Sequence, residues 1–226
     1  MTVLVTGGCG RIGSAISARL KSDGWTVARS SSRPDAGAEL VADLGQPGAA
    51  DALFADATNY FGAPPDALVN NAAVFNAPDR QIQAVNLDAP VRLSLLLAEA
   101  SGVAGSRAVV NILDCVVMRE DFIPATMYEK TKAGILRWTK EVAGSFLPAL
   151  RVNGVAPGAV FPPPGGGVKA GPSPFGRPSA AAVAAAVAFL LKARFTSGCV
   201  IPVDGGQSVF SARRLSDVKS QGEIKR

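Results

Sequence analysis

Tyr128 and Lys132 stand four residues apart in the run MYEKTK, a spacing that places both side chains on one face of a helix. A phenol beside an ammonium group is a proton-transfer pair: the tyrosine can supply a proton, and the lysine can lower its pKa. The sequence contains no histidine, so proton chemistry must rest on Tyr, Lys, Asp, Glu or Ser. The three cysteines, Cys9, Cys115 and Cys199, are far apart and lack metal-ligand spacing, so no metal site is expected.

A second chemical feature lies near the start of the chain. The stretch TGGCGRIG, residues 6 to 13, follows the apolar run VLV and leads into a helical pattern of Ile12, Ala15, Ile16 and Leu20, which Asp23-Gly24 ends. A glycine-rich turn between a strand and a helix aims backbone N–H groups and the positive end of the helix dipole at phosphates. Thr6, Gly7, Arg11, Ile12 and Gly13 are therefore candidate dinucleotide contacts, and the plain alternative is a structural turn. The second apolar run ends in TVARSSSRPDAG, with Ser31, Ser32 and Arg33 where the adenosine ribose would lie and Asp35 only after Pro34. A basic group there suits a 2'-phosphate, so NADP(H) is expected over NAD(H), unless Arg33 is merely a solvated loop charge.

The elements that must position these residues read as an α/β fold. Apolar runs at 3–5, 26–28, 39–42, 67–69, 108–113, 151–156 and 199–203 alternate with helical stretches, which predicts a Rossmann-type, doubly wound, seven-stranded parallel sheet with helices on both faces. With 226 residues, 48% of them hydrophobic, the chain can bury one core, expected over 1–210. Within it, 161–178 is dominated by Pro and Gly and reads as a substrate loop, and 179–192 as a covering helix. Residues 211–226 form an aperiodic basic tail with five basic and two acidic groups, which supplies three of the five net positive charges. The remaining surface is too bland for nucleic acid. No run of about 18 apolar residues suggests a membrane span, and a cytoplasmic location is expected.

The order of these motifs resembles the short-chain dehydrogenase/reductase family. The match runs from Thr6 to about Gly206: TGGCGRIG, the Asp43-Leu44 pair, NNAA at 70–73, Asn86, Tyr128-x-x-x-Lys132 and Pro157-Gly158. The resemblance implies that Tyr128 and Lys132 are catalytic, with Lys132 on the nicotinamide ribose, and that Asn86 helps hold the lysine through water. It places Asp43 and Leu44 beside the adenine and Asn71, Ala72, Ala73, Pro157, Gly158 and Val160 along the cofactor. It also implies a homotetramer built on helices around 82–100 and 126–146, with Leu93, Leu96, Leu97, Leu136 and Trp138 as apolar material; core packing would explain the same residues.

Three departures from that family point further. The serine that usually follows the fifth strand is Asp114, the turn glycine is Arg11, and NNAAVF ends in Phe75. An ionised carboxylate cannot donate to a substrate carbonyl but accepts from N–H groups. Together these residues resemble the pteridine reductase branch, although Ala73 stands where that branch carries serine. The resemblance implies that Phe75 stacks on a flat heterocycle, that Arg11 touches cofactor phosphate and substrate, and that Asp114 and Tyr128 relay a proton to a ring nitrogen. The plain alternatives are core packing for Phe75, phosphate contact alone for Arg11, and a solvated strand end for Asp114. The expected function is NADPH-dependent reduction of a dihydropterin or dihydrofolate-like small molecule. A carbonyl or 3-oxoacyl reductase is the alternative enzyme; a non-catalytic NADP(H)-binding regulator would have no chemical need for Tyr128 and Lys132.

Overall fold

Each apolar run forms a strand of one sheet: β1 (Thr2–Val5), β2 (Thr26–Ser31), β3 (Leu40–Val41), β4 (Ala67–Asn70), β5 (Arg107–Ile112), β6 (Leu150–Pro157) and β7 (Val200–Val203). The computed structural model describes residues 1–100, 107–161 and 175–209; the expected basic tail and most of the expected substrate loop lie outside them. All seven strands run parallel in the order β3-β2-β1-β4-β5-β6-β7. The order reverses between β1 and β4, so the carboxyl ends of these strands diverge and open a crevice there.

Side chains alternate between the two faces of the sheet. Val3 and Val5 point to the layer made by α1 (Arg11–Ser22) and the last helix, α6 (Ala180–Lys192), where Ile16, Leu20, Val183 and Val187 are fully buried. Leu4 points to the opposite layer, where Leu53 of α2 (Ala49–Phe61) meets Leu93 and Leu97 of α4 (Ala89–Glu99). Between α2 and α4 comes α3 (Asp79–Gln83), joined to α4 by a π-helical turn, Ala84–Asp88. Leu93 and Leu97 thus serve the core, the alternative given for them beside an intersubunit role. The outer groove between α4 and α5 (Met127–Val142) is lined instead by Leu87, Val91, Leu95 and Trp138.

The expected alternation of strand and helix fails once. Only eight residues separate β2 from β3, and Pro34 and Gly37 interrupt them, so the connection is a single 3-10 turn, Pro34–Ala36. Elsewhere the helix signals hold. Thr126 and Glu129 form a reciprocal capping box that starts α5 one residue before Tyr128, and Ser179 caps α6 by accepting from the Ala182 N–H.

Two buried polar clusters fix the layers. Asn70 of β4 donates to Asn111 of β5 (2.8 Å), to Ser94 of α4 and to the Pro90 carbonyl; Asn111 donates on to Thr139 of α5. The network ties both helices to the sheet and so sets the position of α5. Arg151, buried in β6, donates to the carbonyls of Leu190, Leu191, Ala193 and Thr196, satisfying the last turn of α6 with a cation. No helix among the described residues is long and apolar enough to cross a membrane.

Candidate active site

The crevice at the sheet reversal is a cleft of about 490 Å³ bounded by the glycine-rich turn, the ends of β2 and β3, and the Asn71–Phe75 segment. Gly7 adopts φ +61°, which only glycine does without strain, and a Cβ on Gly13 would lie 2.2 Å from the Gly7 carbonyl. The turn therefore closes tightly on α1. The cap residue Gly10 has no side chain to satisfy the first N–H groups of that helix, and Gly10, Arg11, Ile12 and Gly13 all line the cleft.

Thr6 lies beneath the cleft, fully buried, where its hydroxyl accepts from the N–H groups of Asn71 and Ala72 (3.0 Å each). It positions the site from inside. The Asn71 amide donates to the carbonyls of Thr6 and Gly7, locking the turn to the segment after β4. Asn71, Ala72 and Ala73 line the cleft.

At the far end lie Ser31, Ser32 and Arg33, with the Arg33 N–H donating to the Ser31 hydroxyl at 3.1 Å. Asp43 and Leu44 line the same end; the Asp43 carboxylate accepts from the Gly45 N–H and the Gln46 amide, which shapes the loop. Beneath the turn, Arg29 grips Glu39 through two side-chain bonds of 2.9 Å each. Burial would push the Glu39 carboxyl up, but the bonds from Arg29 prevail and bring it down to about 2.

At the opposite end the Tyr128 hydroxyl donates to Asp114 Oδ2 at 3.0 Å, while Asp114 Oδ1 accepts from the Val116 N–H. Asp114 caps a 3-10 turn, Cys115–Met118, and is half-buried, which excludes a freely solvated strand end. Burial, and then the Asp114 carboxylate, hold the Tyr128 pKa well above the ordinary phenol value. This corrects the expectation that Lys132 lowers it. The lysine donates to the Ile112 carbonyl at 2.8 Å and sits 5.7 Å from the centroid of the tyrosine ring. Its own pKa is pushed down to about 8 by burial, against a raising effect of Asp114.

Phe75 is 64% exposed and its ring meets Tyr128 edge to face at 4.8 Å, so it is a wall of the cleft and core packing is excluded. The Asn86 side-chain amide binds both the N–H and the carbonyl of Val74, which commits it to the backbone beside Phe75.

Three further residues fall short of the cleft wall. Pro157 ends β6 in the interior, Gly158 packs against Asp204, and Val160 joins the α1 and α6 layer; the next residue, Phe161, lines the cleft. Sequence reasoning missed Phe161, Ser30 and Gln81, which also line it. Ser30 adjoins the motif that was recognised, whereas Gln81 carries no motif and reaches the site only because α3 folds over the loop after β3.

Fold and site together define a nucleotide-binding oxidoreductase of the single-domain parallel-sheet type. A family model described as enoyl-(acyl carrier protein) reductase matches residues 11–208, and the chain belongs to the short-chain dehydrogenase/reductase family. It is 30% identical to the granaticin polyketide synthase putative ketoacyl reductase 2 of Streptomyces violaceoruber, over 90% of this chain and 94% of that one. Among solved structures it is similar to FolM alternative dihydrofolate reductase 1 from Brucella canis complexed with NADP, with a TM-score of 0.80 and 28% identity over 94% of this chain and 96% of that one. A short-chain dehydrogenase/reductase of Serratia marcescens superposes with a TM-score of 0.78 and 27% identity, covering 92% of this chain and 97% of that one.

Proposed function

We propose that the protein is an NADPH-dependent reductase of a pterin or a similar flat N-heterocycle. The observation that carries this reading is the Asp114–Tyr128 hydrogen bond beside the exposed ring of Phe75. An acceptor carboxylate suits the amino and ring N–H donors on one edge of a pterin, and Phe75 offers an aromatic face to a planar substrate. The similarity to a FolM alternative dihydrofolate reductase supports the same class.

The residues present fit the cofactor. The tight turn around Gly7 and Gly13 gives a diphosphate access to backbone N–H groups, and Ser31, Ser32 and Arg33 suit a 2'-phosphate. When bound, NADPH supplies the hydride. Tyr128, held protonated, supplies a proton toward the substrate ring nitrogen. Leaving a phenolate beside the Asp114 carboxylate would be unfavourable, so the two residues act as one proton-holding pair, with the buried Lys132 ammonium offsetting the charge. Assembly as a homotetramer, through the groove bearing Val91, Leu95 and Trp138, belongs to the same reading.

Replacing Arg33 with Asp is expected to raise the KM for NADPH by about tenfold or more, the scale of a charge-assisted contact, while barely changing that for NADH. Equal effects on both coenzymes would remove Arg33 from the 2'-phosphate site.

A second reading, carbonyl or 3-oxoacyl reduction, is favoured by the ketoacyl reductase relative. NADPH oxidation by the purified protein with dihydrobiopterin and dihydrofolate, beside ketones and acetoacetyl thioesters, separates the two. Turnover of the dihydro substrates is expected; turnover of ketones or thioesters alone would replace the first reading with the second.

A further inference from the structure

The mechanism above leaves one contact in the cleft unused. The Arg11 guanidinium carbon lies over the ring of Phe161, 4.8 Å from its centroid, joining the first residue of α1 to the segment that leaves β6. The backbone of that segment is itself held, because Arg177 donates to the carbonyls of Ala159 (3.0 Å) and Phe161 (3.2 Å). Among the described residues, Phe161 joins none of the three apolar clusters of the core, although it is half-buried. The face of its ring meets a cation.

We propose that Phe161 is a positioning residue for cofactor binding: its ring holds the Arg11 guanidinium over the cleft, and Arg177 fixes the backbone from which that ring projects. The inference rests on the NADP(H) reading. Arg11 is exposed and has a long side chain, so any contact it makes with an anionic ligand must first overcome the loss of rotamer freedom. A ring beneath the guanidinium removes part of that loss before the ligand arrives. The ring occupies a face of the guanidinium, not the edge at which phosphate oxygens bind. An aliphatic residue of similar bulk would fill the same space without holding the cation. Arg11 thus depends on a residue 150 positions away in the chain, brought to it by the parallel return of β6.

The test is a double-mutant cycle on NADPH affinity, read by fluorescence titration of the complex without a second substrate. In the otherwise unchanged protein, Phe161→Leu is expected to weaken NADPH binding about fivefold, within the range of a partly desolvated cation–π contact, and Phe161→Tyr less than about twofold. In an Arg11→Met background, the same Phe161→Leu change is expected to cost less than about twofold, because the partner of the ring has gone. Equal losses in both backgrounds, no loss in the first, or failure of tyrosine to substitute would overturn the proposal. So would loss of the folded thermal transition in Phe161→Leu, which would make the ring a packing residue. Failure of the unmodified protein to bind NADPH would overturn the cofactor reading and this inference with it, whereas tight binding with an additive cycle would sink this inference alone.

Discussion

Tyr128→Phe is expected to lower kcat for NADPH-dependent reduction of a dihydropterin by about 10²–10⁴-fold, the contribution of a positioned general acid, with the KM for NADPH changed little. The ring and its edge-to-face contact with Phe75 survive the substitution, so only the proton donor and its bond to Asp114 are lost. A fall of less than about threefold would transfer the donor role elsewhere. The pH profile adds a separate check. Lys132 has a pKa of about 8 in the folded chain against 10.5 in its ordinary state, so kcat should decline above about pH 8 as the ammonium discharges. Stability moves the other way. Between about 8 and 10.5 the unfolded chain holds the proton that the folded chain has released, so this lysine makes the fold more stable as pH rises. Loss of activity without loss of the thermal transition over that interval would trace the decline to charge at the site; an unchanged rate up to pH 10 would remove the ammonium from the mechanism.

Asp114→Asn is expected to cost about 10²-fold in kcat/KM for the dihydropterin, because on the proposed reading the carboxylate that accepts from Tyr128 loses its charge and the proton-holding pair loses one member. The change is a fair test of chemistry. An asparagine carbonyl can still accept from the Val116 N–H, so the 3-10 turn at 115–118 keeps its cap. Removing the carboxylate also removes the second cause of the raised Tyr128 pKa, leaving burial to hold the phenol neutral. Steady-state kinetics on the dihydropterin and on a ketone together locate the role of Asp114. A loss confined to the pterin supports recognition by the carboxylate, while equal losses on both substrates would make Asp114 a positioning group for Tyr128 alone.

Much of the frame was legible because it follows from local rules. Continuous apolar runs marked the strands, glycines at 7, 10 and 13 marked the turn, and the four-residue spacing of Tyr128 and Lys132 marked a shared helical face. The missing helix after β2 could also have been read from its length, since Pro34 and Gly37 leave no room for one. What a linear pattern did not show was of another kind. Thr6, Asn86 and Leu93 have the right types for contact with a ligand or a partner, yet their side chains are taken up by backbone groups or by the core. Which polar atom satisfies which buried donor is settled by neighbours distant in the chain, and a linear pattern does not contain those neighbours.

The pKa logic shows the same division. The presence of Tyr128, Lys132 and Asp114 is a property of the sequence, as is the absence of histidine. That the tyrosine gives its hydrogen bond to Asp114, while the lysine turns to the Ile112 carbonyl, depends on how β5 and α5 pack, and this reverses the sign of the expected tyrosine shift. The sequence by itself determined the strand order's raw material, the phosphate-binding turn and the chemical types available at the site. Only the tertiary structure decided that Phe75 faces solvent, that Phe161 meets Arg11, and that Tyr128 gives its hydrogen bond to Asp114. Charge and burial act through space, and the folded sheet alone sets which groups share that space.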